Sequence, residues 1–129
     1  MAKSKILVVD DDPKLSRLVA TILDRVGGYE VFEENRPFAA VSTAQQFRPD
    51  VILLDVDMPG KDGGAIAREL AGNVLLASIP VIFVTSLISS SEAGLRNGVR
   101  YIAKPVDPNL LLSTVRSLTP RFKPAPQAV

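Results

Sequence analysis

This sequence predicts a doubly wound α/β fold, with one five-stranded parallel sheet covered by helices on both faces. Two observations carry that prediction. Five short apolar runs rich in Val, Ile and Leu recur between stretches of helical periodicity, and such alternation requires a parallel sheet with right-handed crossovers. The runs are continuous rather than alternating, as strands buried on both faces must be. Length and composition agree. The 129 residues suit one domain, and 47% apolar against 22% charged is a globular balance.

Ile6–Val9 reads as the first strand. Asp12-Pro13 then offers an N-cap followed by proline at the first helical position. Leu15, Leu18, Val19, Ile22, Leu23 and Val26 form one apolar stripe that ends at Gly27-Gly28. Tyr29–Phe32 is the second strand. Pro37 opens a weaker helix to Phe47, with Phe38, Val41 and Ala44 on one side, and Arg48-Pro49-Asp50 breaks it. Val51–Leu54 is the third strand, ending on Asp55. Met58-Pro59-Gly60 and Asp62-Gly63 are turn chemistry, and a helix from about Gly64 to Ala71 carries Ile66, Ala67 and Leu70. Val81–Val84 is the fourth strand, ending on Thr85. Ser86–Ser91 reads as a loop, with a short helix around Glu92 to Asn97. Tyr101–Ala103 is the fifth strand, ending on Lys104-Pro105. Asp107-Pro108 repeats the cap-plus-proline signal before Leu111, Leu112, Val115 and Leu118. The reading is therefore one domain over residues 1–118 and a proline-rich tail or linker over 119–129.

Composition removes several classes of function. Without cysteine there are no disulfides, thiolate metal sites or thiol catalysis. Without histidine there is no Ser-His-Asp triad and no phosphohistidine role. Tryptophan is absent and only five Phe and two Tyr remain, a poor platform for stacking nucleic-acid bases. A net charge of +1 favours neither nucleic acid nor a membrane surface. The N-terminal apolar run is too short for a signal segment or a span and stops at three acids, so a cytoplasmic protein is expected.

In doubly wound sheets the site lies beyond the carboxyl ends of the strands. The residues there are Asp10, Asp11, Asp12, Asp55, Thr85 and Lys104. Carboxylates gathered in one place repel one another unless a cation intervenes. Mg²⁺ suits them, because it takes one or two carboxylates, keeps waters and shares the rest with phosphate oxygens. Asp55, ending the central strand, is the candidate carboxylate nucleophile toward a phosphoryl group. Lys104 supplies a compact positive charge and Thr85 a hydroxyl. Asp12 reads as a helix cap rather than a ligand.

The stretches Ile6-Leu7-Val8-Val9-Asp10-Asp11-Asp12-Pro13, Val51 through Gly63, Val84-Thr85-Ser86 and Ala103-Lys104-Pro105 together resemble the response-regulator receiver domain, CheY-like, of two-component signal transduction. The resemblance runs from about residue 4 to 118. It implies a flavodoxin-like strand order of 2-1-3-4-5, with Mg²⁺ as cofactor and Asp55 as both phospho-acceptor and metal ligand. Asp11 would bind the ion directly, Asp10 mainly through water, and Asp57 through its backbone carbonyl. Thr85 would swing toward the phosphoryl group, Lys104 would clamp it, and Tyr101 would turn inward as a switch. The Lys104-Pro105 bond would be cis. The implied donor is a sensor histidine kinase or a histidine phosphotransfer protein. The output would be a phosphorylation-driven shift read by a downstream protein, or by an output domain beyond the tail.

Four features depart from the family pattern. Thr85 and Lys104 are closer in sequence than usual, which shortens the fourth helix. Asp57 places a further carboxylate two residues after the acceptor. Leu87 is apolar two residues after Thr85, and with Asp57 it predicts a slowly decaying phospho-form. No output domain is present in the sequence. Two other readings stand beside the receiver: a phosphatase using Asp55-Val56-Asp57 as nucleophile and acid, and a constitutive adaptor that is never phosphorylated. The order of the motifs opposes the first and the intact site opposes the second. Five of the 14 acids (Asp10, Asp11, Asp12, Asp55 and Asp57) fall in the site region, so the rest of the chain is mildly basic. From Glu92 onward six basic residues face two acidic ones, which marks the C-terminal side as a place for a partner.

Overall fold

β-branched and Leu-rich runs form the strands that the sequence predicts. In the computed structural model, which describes residues 3–58, 63–86, 94–96 (backbone alone) and 99–119, they are β1 (Lys5–Val9), β2 (Glu30–Glu34), β3 (Val51–Asp55), β4 (Val81–Thr85), β5 (Gly94–Arg96) and β6 (Val99–Ala103). The helices are α1 (Pro13–Thr21), α2 (Ala40–Phe47), α3 (Gly63–Ala71) and α4 (Pro108–Leu118). The sheet order is β2-β1-β3-β4-β6-β5. Its first five members are parallel and keep the expected 2-1-3-4-5 order, β6 being the expected fifth strand.

β5 is the correction to the sequence reading. A short helix was expected around Glu92 to Asn97, yet Gly94, Leu95 and Arg96 pair antiparallel with Tyr101, Arg100 and Val99. The register leaves two residues between the strands, and these are Asn97 and Gly98. Asn-Gly is the dipeptide most favoured in two-residue hairpin loops, and Gly94 and Gly98 weaken a helix. Gly94–Arg96 thus adds an edge strand where a helix was expected. Of the other expectations, the turn over Pro59–Asp62, Leu87 and the tail beyond Thr119 lie outside the described residues.

Both N-caps form as expected. Asp12 accepts the Lys14 amide at 3.0 Å and Asp107 accepts that of Leu110 at 3.1 Å, each followed by proline in the first turn. α1 runs into a π-helical turn at Ile22–Val26. The inward face of this segment is Ser16, Val19, Ala20 and Leu23, so Leu18 and Val26, also expected in the core, are exposed. Phe38 is likewise exposed, because Pro37–Ala39 is a 3₁₀ turn and the inward face of α2 is Ala40 and Ala44. After α2 the chain reverses at Arg48, which adopts left-handed backbone with φ 56°.

Alternate residues of each strand serve opposite faces of the sheet. Ile6, Val8, Leu53, Ile82 and Ile102 pack against Val19, Leu23, Leu111 and Val115 of α1, its π turn and α4. Leu7, Val9, Ile52 and Leu54 pack against Ala40, Ala44, Ile66 and Leu70 of α2 and α3. β3 is buried along its whole length, so its last residue, Asp55, is held rigidly in the middle of the carboxyl edge.

Candidate phospho-acceptor site

The parallel register sets the site. Asp55 lies opposite Val84, which puts Thr85 one step beyond it on the neighbouring strand. Thr85 in turn lies opposite Ala103, and Lys104 follows, its amide donating to the Thr85 carbonyl at 2.9 Å. On the other side Val9 lies opposite Leu54, so Asp10 comes up beside Asp55. The ordering of strand ends in the sheet therefore collects residues separated by up to 94 positions of chain.

Asp10, Asp55 and Thr85 are all buried. The Lys104 ammonium donates to Asp55 Oδ1 at 2.9 Å and lies 3.7 Å from Asp57 Oδ2. Burial alone would lower the lysine's pKa, but the hydrogen bond and charge of Asp55, with the charges of Asp10 and Asp57, outweigh it and hold the pKa up. Asp10 behaves oppositely. Burial, reinforced by the charge of Asp55, pushes its carboxyl up to about 7, against the lowering effect of the Asp12 amide bonded to Oδ1 at 2.9 Å. Carboxylate oxygens of Asp10, Asp11 and Asp55 lie within 4.8 Å of one another. An all-oxygen cluster of three carboxylates, two of them buried, is the donor set a hard divalent cation relieves, so these residues fit the expected metal.

Asp10 is fixed from behind. The Asn35 amide donates to the Asp10 carbonyl at 2.7 Å and to Ser16 Oγ at 2.9 Å, and Ser16 donates to Glu33 at 3.1 Å. Sequence reasoning passed over Asn35 and Ser16, because nothing local shows that the end of β2 and the start of α1 share the strand-end loop. Gly63 was read as structural, and the structure gives the reason. A Cβ there would stand 2.7 Å from the Asp55 carbonyl oxygen and 3.0 Å from the Val56 Cα. Glycine lets α3 begin directly against the acceptor strand.

Asp57 holds the least expected contacts. Its backbone amide donates to Asp55 Oδ1 at 3.0 Å. Its carboxylate accepts the Thr85 hydroxyl at 3.1 Å, the Ser86 amide at 2.9 Å and the Ser86 hydroxyl at 3.0 Å. Tyr101 is half-buried on β6, its ring stacked on Phe83 with centroids 5.5 Å apart. The Lys104-Pro105 bond is cis, as the resemblance implied.

A parallel doubly wound sheet with three clustered acids, a buried carboxylate and a lysine on it at its carboxyl edge defines a phospho-acceptor class of signalling domain. Within that class the chain belongs to the response regulator receiver domain family, whose profile matches residues 6–116. Accepting a phosphoryl group is the general function of this family. The chain is 35% identical over 118 residues to Protein PilH of Pseudomonas aeruginosa, covering 89% of this chain and 97% of PilH. It is 39% identical over 123 residues to the response regulator PleD of Caulobacter vibrioides, covering 93% of this chain but 27% of PleD. It thus spans nearly all of one relative and about a quarter of another. Among solved structures, the chemotaxis protein CheY4 of Vibrio cholerae matches with a TM-score of 0.79 at 26% identity, over 92% of this chain and all of that one. Among the described residues no helix is long and apolar enough to cross a membrane.

Proposed function

We propose that Asp55 is the phospho-acceptor of a Mg²⁺-dependent receiver comprising residues 1–118, with 119–129 as tail or linker. The observation that carries this reading is the buried Asp55 carboxylate at the end of the central strand, 2.9 Å from the Lys104 ammonium and clustered with Asp10 and Asp11. An Asp55 oxygen attacks the phosphorus of a phosphohistidine on a sensor histidine kinase or histidine phosphotransfer protein. The P–N bond breaks, the electron pair leaves with the imidazole, and Asp55 carries an acyl phosphate. Lys104 and the Thr85 hydroxyl neutralise and orient the phosphoryl oxygens. Asp11, Asp55, Asp10 through water, and the Asp57 carbonyl would hold the metal, which supplies charge neutralisation for those oxygens when bound. Tyr101 couples the site to the β4–β6 surface, and the phospho-form biases a two-state equilibrium read by a downstream partner in the cytoplasm.

Incubation with Mg²⁺ and a small acyl phosphate tests the assignment. A single covalent phosphoryl adduct, absent in Asp55→Asn, is expected by intact mass. Steady release of phosphate would indicate a phosphatase instead, and the absence of both adduct and Mg²⁺ binding would indicate an adaptor. The adduct is also expected to decay slowly. A half-life as short as that of the fastest chemotaxis-type regulators would refute that part.

A further inference from the structure

The site contains a carboxylate that neither the acceptor step nor the metal uses. Asp57 is half-buried and receives four donors: the hydroxyl of Thr85, the amide and hydroxyl of Ser86, and at longer range the Lys104 ammonium. Resting on the receiver reading, we propose that the Asp57 carboxylate is a positioning latch for the unphosphorylated state, holding the start of the β4 exit loop through Thr85 and Ser86.

Two acceptors compete for the same donors. A phosphoryl group on Asp55 needs donors, and two that the receiver reading assigns to it, the Thr85 hydroxyl and the Lys104 ammonium, are both already engaged with carboxylates. The two-residue step from Asp55 to Asp57 is spanned by the Asp57 amide bonded to Asp55 Oδ1. The rival carboxylate therefore stands next to the acceptor, and drawing the Thr85 hydroxyl to the phosphoryl breaks its 3.1 Å bond to Asp57. Bonds to an ionised acceptor are stronger than neutral ones. The bonds from Thr85 and Ser86 and the nearby Lys104 ammonium all favour the ionised form of Asp57. A ligand that must first break these bonds binds the fraction of molecules in which they are open, and its apparent affinity falls by that fraction. Ser86 adds two donors to the same oxygen, so it is the second half of the latch and contributes no charge of its own.

Beryllofluoride, which occupies the acceptor carboxylate as a phosphoryl mimic, is the probe, titrated with Mg²⁺ into the full chain. The expected result is that Asp57→Asn tightens loading about three- to tenfold. Removal of a negative charge would do something similar, so the decisive variant is Ser86→Ala, on an exposed residue whose loss does not threaten folding. Ser86→Ala is expected to tighten loading about twofold, and to have no effect in the Asp57→Asn background, since the two act through one contact. In amide spectra of the unloaded protein, the Ser86 signal of Asp57→Asn should move toward its position in the loaded wild type. If Ser86→Ala leaves loading unchanged, or its effect simply adds to that of Asp57→Asn, the latch is wrong and only charge repulsion remains. If the wild type does not load at all, the receiver reading fails and the latch with it. Loading by the wild type with an unmoved Ser86 signal in Asp57→Asn overturns the latch alone.

Discussion

A buried carboxylate needs donors or a counter-charge, and this chain meets that need in two ways. At Asp55 the charge comes from Lys104, 49 residues away in sequence. At Glu34, buried at the end of the edge strand β2, it is local: Arg36 donates through its backbone amide and its guanidinium at 2.9–3.2 Å, and the Thr43 hydroxyl donates at 2.6 Å. Burial alone would raise the pKa of Glu34, but these bonds and the Arg36 charge outweigh it and hold it below the ordinary 4.5. A carboxyl with a lowered folded-state pKa stabilises the fold above its ordinary value, and that contribution is lost as pH falls through the folded value. Glu34→Gln is therefore expected to lower stability at neutral pH and to flatten its decline below about pH 4.5 relative to wild type. Urea unfolding of both proteins between neutral and acid pH checks this, and parallel curves would count against it. At this scale the acceptor, its lysine and the acid pair were legible in the sequence, since each directly follows an apolar run. The side-chain partners of Asp57 and Glu34 were not. Thr85 reaches Asp57 only through strand register, Thr43 reaches Glu34 from α2, and nothing in the sequence alone shows that Arg36 folds back onto the residue two before it.

Elements were legible where local signals and burial agreed. Asp12-Pro13 and Asp107-Pro108 cap their helices as read, and β3 is buried throughout as its run of Val, Ile and Leu implies. They were misread where a local signal was outweighed by geometry. Leu18 and Val26 are left out of the core although both fit the 3.6-residue stripe, because the inward face runs through Ser16, Val19, Ala20 and Leu23. The Asn97-Gly98 pair, a hairpin signal, was passed over because a helix was expected between β4 and the last parallel strand. The junction of α3 with β3 offers an element-level test. Gly63→Ala puts a methyl 2.7 Å from the Asp55 carbonyl oxygen, with backbone on both sides of the contact, so the helix start or the strand end must move. A loss of about 1–3 kcal/mol is expected from such overpacking, together with slower phosphorylation by acyl phosphate, because the acceptor moves with its strand. Denaturant midpoints and adduct-formation rates measure the two effects. Wild-type values for both would show that α3 does not constrain Asp55.

At the scale of the whole molecule, the near-neutral +1 conceals a polar division. The sheet gathers Asp10, Asp11, Asp55 and Asp57 at its carboxyl edge, with Lys104 the cation on Asp55 and Asp57 among the described residues. Folding brings these acids together against their mutual repulsion, and that cost is borne by β1 and β3, which share the core on both faces of the sheet. A cation that binds only the folded cluster therefore stabilises the entire sheet, by about 2.7 kcal/mol at a hundredfold excess over its Kd. For a domain of this size that corresponds to a rise in Tm of several degrees. Mg²⁺ should produce that rise in the wild type, whereas Na⁺ at equal ionic strength, which only screens, should produce much less. Asp11→Asn should lose most of the Mg²⁺-specific increment while keeping its fold, since Asp11 is the less buried of the β1-end pair. Thermal unfolding of both proteins in the two salts decides the matter: equal shifts with Mg²⁺ and Na⁺ in the wild type would mean that the cluster is only a screened surface charge.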